Sequence, residues 1–217
     1  ISLYRAVQTH YASLTEPVAE NSIIEKLGDD VQFEKNIGNK RYIVTQRKYA
    51  IFPQQSGPLK ISPVTFTADV NDSNRRRSLF LNSTRPVSIS TKEISLSVKP
   101  KPAGANDPWL PAKNVVLADR WTPVTKELTV GEPITWTLML SVQGLSESQL
   151  PEIKLPDIKG LQLYPDTPQK ERKIDEKGIL GQRIEKYAVI PSVEGPITIP
   201  EVRLSWWNTE TDKMETT

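Results

Sequence analysis

One stretch of this chain occurs twice. Lys48-Tyr49-Ala50-Ile51-Phe52-Pro53, followed by Gly57-Pro58-Leu59-Lys60-Ile61 and Val64, returns as Lys186-Tyr187-Ala188-Val189-Ile190-Pro191, followed by Gly195-Pro196-Ile197-Thr198-Ile199 and Val202. The offset is 138 residues throughout, and 8 of the 19 positions from Lys48 to Phe66 are identical to those from Lys186 to Leu204. Repetition every few tens of residues would indicate a solenoid or propeller. Repetition at this distance indicates two copies of a domain, and 217 residues leave room for two domains of ordinary size.

The 18 prolines narrow the fold class. They are scattered along the whole length, and a proline inside a helix costs about 3 kcal/mol, so long helices are excluded almost everywhere. Between them run short stretches alternating apolar with polar residues: Ile94 through Val98, Ile134 through Val142, and Val202 through Trp206. Period-two alternation rich in β-branched and aromatic residues marks half-buried strands. The expected fold is all-β, two tandem immunoglobulin-like β-sandwiches. One segment breaks the pattern. Asn21 as a cap, Ile23, Ile24 and Leu27 at helical spacing, and Gly28 as a stop predict one or two helical turns.

The repeated motif reads as a hairpin. Tyr49 opens a strand that Pro53 stops, Gly57-Pro58 turns the chain, and a partner strand returns; Tyr187, Pro191, Gly195 and Pro196 do the same in the second copy. Tyr49 and Tyr187 either bond back to the chain as the corner tyrosine of antibody-type domains or pack on a sheet face. A weaker match pairs Leu3 through Gln8 with Leu138 through Gln143, an offset of 135 residues. The second copy has a further strand-like region before this point, Asn114 through Val130, with no counterpart in the first, so the first sandwich is expected to lack its opening strands. The domains are expected at 1–100 and 109–217, joined by the proline-rich connector 101–108. Trp109, with Leu110 beside it, either packs at the joint or is buried in the second domain alone.

Composition excludes several classes of function. The 28 basic and 26 acidic side chains nearly cancel, too even a balance to argue for nucleic acid. There is no cysteine, hence no disulfide and no thiol chemistry. No apolar run approaches the ~18–20 residues that cross a bilayer, and Ile1 through Arg5 is not the start of a signal peptide. The single histidine, His10, cannot build a His-rich metal site or serve several catalytic roles. No nucleophile elbow, phosphate-binding glycine loop or zincin motif is present. Asp69, Asn71 and Ser73 imitate a calcium loop, but Asn74 and Phe80 stand where glycine and glutamate are needed. Glu147, Glu152 and Asp157 fall in a proline-rich loop that predicts no burial. No enzymatic activity and no cofactor are expected. Candidate contacts are Trp207, facing outward beside an inward Trp206, and the cluster Arg75-Arg76-Arg77, read as a solvated loop or as a site for an anionic partner. Asn71-Asp72-Ser73 and Asn82-Ser83-Thr84 match the glycosylation triplet.

Taken in order, Lys48 to Pro53 with Ser56-Gly57, Val98-Lys99-Pro100, Trp109-Leu110-Pro111-Ala112, Leu150-Pro151, Tyr164-Pro165-Asp166, and Ile199-Pro200-Glu201 with Trp206-Trp207 resemble the BatD family of bacterial aerotolerance (oxygen tolerance) proteins. The resemblance runs from about Tyr42 to Trp207 and is weaker before it. It implies a periplasmic, extracytoplasmic portion of an envelope protein, anchored to the inner membrane through a segment outside this sequence. It also implies partners: von Willebrand A domain proteins and a MoxR-type AAA+ ATPase. The family brings no catalytic residues. The expected function is a stress-linked, non-enzymatic protein-interaction module; the alternative is a carbohydrate-binding or adhesive sandwich, which would display a row of coplanar aromatics.

Overall fold

The computed structural model describes residues 1–71, 84–105, 107–125, 127–175 and 177–217. The protein is all-β, with several sheets; among the described residues the only helical element is a 3-10 turn at Glu147–Gln149. The chain divides into two compact units, Ile1–Lys101 and Pro102–Thr217.

The first unit contains β1 (Ser2–Arg5), β2 (Thr9–Leu14), β3 (Ser22–Lys26), β4 (Val31–Ile37), β5 (Lys40–Gln46), β6 (Tyr49–Pro53), β7 (Gly57–Ile61), β8 (Thr65–Asn71), β9 (Thr84–Ser90) and β10 (Ile94–Val98). Strand β5 lies between β1 and β4, β8 lies between β2 and β9, and β3 pairs with β6 and β7 with β10. Alternation along β8 turns Phe66, Ala68 and Val70 inward, where they are buried with Leu59, Ile61 and Val64.

The second unit contains β11 (Pro111–Ala112), β12 (Asn114–Thr122), β13 (Ile134–Gln143), β14 (Leu161–Pro165), β15 (Gln169–Asp175), β16 (Gly178–Pro191), β17 (Ser205–Asn208) and β18 (Lys213–Thr216). Its main sheet runs β12-β13-β16-β14, with β15 pairing the other half of β16. The period-two pattern of β13 turns Trp136, Leu138, Leu140 and Val142 to one face, and all four are buried. Opposite them on the same face stand Tyr187, Glu185, Arg183 and Gly181 of β16.

The duplication extends well beyond the stretch of high identity. The hairpin β4-β5 pairs Val31 with Gln46 through Ile37 with Lys40. The hairpin formed by β15 and the start of β16 pairs Gln169 with Ile184 through Asp175 with Gly178. Every one of these positions is shifted by 138 residues. Strand β3 against β6 corresponds to β14 against the end of β16. Strand β1 against β5 likewise corresponds to β13 against β16, but the upstream match needs a correction. Leu3 faces Thr45, and Leu140 faces Arg183, the residue 138 beyond Thr45. Leu3 therefore occupies the place of Leu140, not of Leu138. A slip of two residues preserves the face, so alternation alone does not detect it.

Two further expectations are corrected. Residues 22–26 are a strand, not a helical turn. Asn21 and Gly28 both adopt positive φ (50° and 68°), and between them Ile23 and Ile24 ladder onto Phe52 and Ile51. The two ends bracket a strand, and pairing with β6 overrides the helical spacing. The repeated motif is not a hairpin. Strand β6 pairs with β3 and β7 with β10, so the chain passes from one sheet to another at the bend; in the second copy the returning segment 195–199 joins no ladder. Of the two readings of the tyrosines, the backbone-bonded corner is not the one found at Tyr187, whose hydroxyl donates to a side chain, Glu185.

The bend itself is nevertheless the same in both copies. Gly57 and Gly195 have φ of 108° and 106°, a region that side-chain-bearing residues strongly disfavour. A Cβ at either position would meet nothing within 4 Å, so any penalty is conformational rather than steric. Gly57→Ala and Gly195→Ala are each expected to lower stability by about 1–3 kcal/mol, read from the midpoint of chemical denaturation. Midpoints unchanged in both variants would show that the shared bend is not constrained.

Candidate interaction surfaces

The two copies share the hairpin ladder but differ in which phase of the central strand is buried. In β16 the odd-numbered residues from Ile179 to Val189 are buried. In the matching strands β5 and β6 of the first unit the buried residues are Val44 and Phe52, at the places of Gln182 and Ile190. The register puts Tyr4, Val44 and Phe33 in one row across β1, β5 and β4, with Val31, Tyr42, Lys35, Ile37 and Lys40 on the same face. Val44 is fully covered, and Tyr4 and Tyr42 meet edge to face at 6.2 Å. Around this centre the face is open: Tyr4, Val31, Phe33 and Ile37 are 42–55% exposed. Lys35 and Lys40 stand among them, Lys40 over the Tyr42 ring at 5.7 Å, and no paired position of β1, β4 and β5 on this face carries a carboxylate. At the equivalent positions the second unit has Ser141, Gln169, Glu171 and Asp175.

The position two residues before each repeated tyrosine carries a charge, of opposite sign in the two copies. In the first, Arg47 donates from both Nε and Nη2 to Asp30 at 2.8 and 2.7 Å, and Lys26 adds a contact of 2.8 Å. The Arg47 and Lys26 side chains hold the Asp30 carboxyl well below its usual range. The Tyr49 hydroxyl is buried beside the Arg47 guanidinium with no partner in good hydrogen-bonding geometry. In the second, Glu185 is buried and accepts from Arg183 Nε at 2.5 Å, from the Ile153 backbone N–H at 3.2 Å and from the Tyr187 hydroxyl at 2.7 Å. Burial first, and the bond to Glu185 second, push the Tyr187 hydroxyl well above its ordinary value.

Of the residues singled out from the sequence, Trp109 and Trp207 come together, with ring centroids 6.1 Å apart and both half-buried. Leu110 is 1% exposed, and its carbonyl accepts from the Trp207 backbone N–H at 2.9 Å. Pro53 and Pro58 are exposed, whereas Pro191 is buried and pairs with Leu161. His10 is an exposed residue of β2 facing Asp69 across the ladder. Asp69 and Asn71 belong to β8, and the rest of the calcium-like spacing, with Ser73, Asn74 and Phe80, lies outside the described residues. Glu147 is half-buried, against expectation: the Ser146 hydroxyl donates to it at 2.8 Å, Arg172 lies 3.9 Å away, and these contacts, the Ser146 bond first, keep its carboxyl below the usual range. Arg75, Arg76 and Arg77, with most of both glycosylation triplets, lie outside the described residues.

Sequence reasoning missed one cluster, Trp121, Trp136 and Asp119. The indoles stack at 4.9 Å with 13° between their planes, and both ring N–H groups donate to Asp119 Oδ2, at 3.2 and 3.0 Å. The residues come from two strands and meet only through the register that sets Trp121 opposite Trp136; no local motif announces them. No family model, no curated protein and no solved structure matches the chain.

Two predictions follow from the charged pairs. Glu185→Ala leaves Arg183 buried without its carboxylate and is expected to cost about 3–5 kcal/mol, measured by denaturant unfolding. Asp30 has a folded-state pKa below its unfolded value. Its contribution is therefore complete above the ordinary value of 3.8 and is lost as pH falls through the folded-state value. Asp30→Asn is expected to flatten the acid limb of the stability profile below pH ~4; an unchanged limb would show that the Arg47 contact contributes nothing.

Proposed function

We propose that this chain is a non-enzymatic protein-interaction module of a bacterial envelope protein, built from two immunoglobulin-like sandwiches of the BatD kind. The observation that carries the interaction reading is the contrast between the copies. A duplicated ladder displays Tyr4, Val31, Phe33 and Ile37 to solvent in one unit and polar residues in the other. Exposed contiguous apolar patches of this kind mark association surfaces. The lysines on the face and the absence of carboxylates favour a partner whose apolar surface is rimmed by acidic groups. Strands β1 and β4 are the edges of their sheet, and free edges add backbone pairing to such a contact.

The order of motifs from Tyr42 to Trp207 supports the family reading. With it come an extracytoplasmic location, membrane attachment through a segment outside this sequence, and assembly with von Willebrand A domain proteins and a MoxR-type ATPase under stress. Co-precipitation of the purified chain with the von Willebrand A domain proteins tests the reading. Phe33→Glu with Ile37→Glu is expected to reduce retention by at least tenfold at unchanged circular dichroism. No retention of the parent chain, or equal retention of the double variant, would overturn it.

A further inference from the structure

The second unit contains a groove of about 350 Å3 between β12, β13 and the segment 199–202. One side is formed by Asp119, Leu117 and the stacked pair Trp121 and Trp136; the other includes Pro200, Glu201 and Val202. Trp136 is buried, Trp121 is half-buried and Asp119 is exposed. Among the described residues no basic side chain lines the groove.

The Asp119 carboxylate is fixed rather than free. One oxygen, Oδ2, takes both indole N–H groups, and the other, Oδ1, has no partner among the described residues. Across the groove Glu201 is engaged, among the described residues, by Arg203 alone, at 2.7 and 2.9 Å, with both side chains about 70% exposed. Exposed pairs of this type are weak and exchange readily.

We propose that this groove binds the guanidinium of an arginine side chain presented by a partner protein. An indole surface attracts a cation. A planar guanidinium stacks on it while its fork of donors reaches the open Asp119 oxygen, a match that a lysine ammonium provides less well. The methylene stem lies along Leu117, Pro200 and Val202, as long basic side chains do on apolar surface. An acidic occupant is repelled by two carboxylates, and a purely apolar one would cover Asp119 without satisfying it. The site belongs to the second unit and does not use the apolar face of the first, so either can stand without the other.

The test is a titration of the isotope-labelled chain with Gly-Arg-Gly amide, following the indole N–H resonances; Trp121→Phe identifies the Trp121 signal. The arginine peptide is expected to shift the Trp121 and Trp136 signals. The same peptide carrying citrulline, which is isosteric and neutral, is expected to bind at least tenfold more weakly. Asp119→Asn is expected to weaken binding about tenfold, and Glu201→Gln, on the exposed wall and outside the indole stack, severalfold at unchanged thermal unfolding. Absence of any shift with the arginine peptide, an equal response to citrulline, or unweakened binding by both variants would overturn the assignment.

Discussion

The second unit is organised by the hydrogen-bonding demand of one strand. The 14 residues of β16 are paired on one edge by β13 and on the other by β15 and then β14. A long strand at the centre of a sheet has buried donors and acceptors on both edges, and each must find a partner. The neighbours' lengths and registers follow from that requirement. So does the placement of charge. Alternation sends Arg183 and Glu185 to the same face as Ile179 and Val189, where an unpaired charge would be prohibitive. They therefore neutralise each other, and the Tyr187 hydroxyl and the Ile153 N–H occupy the remaining capacity of the carboxylate.

The first unit shows how much the ladder leaves undetermined. The same hairpin register recurs, yet the stretch that is one strand in β16 is divided between β5 and β6, and β1 covers only four residues of it where β13 covers ten. Arg47 takes the place of Glu185 and turns to Asp30 rather than to a neighbour on its own strand. Val44 and Phe52 are buried where the second copy has Gln182 and Ile190. Backbone pairing preserves the geometry of a duplicated sheet, while each face is free to change chemistry, because exchanging a polar row for an apolar one breaks no ladder bond.

What was legible in the sequence was local. The alternation from Ile134 to Val142 gave β13 and its buried face, and the shared Gly-Pro step gave a bend with the same φ at Gly57 and Gly195. What was not legible depended on pairing across distance. Nothing between Tyr49 and Ile61 says that β6 will pair with β3 and β7 with β10, so two strands around a turn looked like a hairpin. Asn21 and Gly28 punctuate a helix and a strand equally well, and only the ladder to β6 decides between them. The Trp121–Asp119–Trp136 cluster required the register of β12 on β13, which alternation constrains to a face but not to a position.

That cluster and the Arg183–Glu185 pair are two outcomes of one rule. Asp119 lies on the inward phase of β12, after Val115 and Leu117 and before Trp121, where an apolar residue would ordinarily stand. Along this phase Val115 is buried, Leu117 half-buried and Asp119 exposed, and burial rises again at the half-buried Trp121. The core therefore opens locally at Asp119, and the segment 199–202 lines the opening. An inward carboxylate sealed in the core must be satisfied by its own chain, as Glu185 is. At the mouth of the core the indole N–H groups occupy one oxygen of Asp119, a residue that lines the groove, and leave the other without a partner among the described residues. The sealed arrangement satisfies a buried charge; the open one leaves an acceptor oxygen beside an aromatic surface, the chemistry that the proposed arginine site uses.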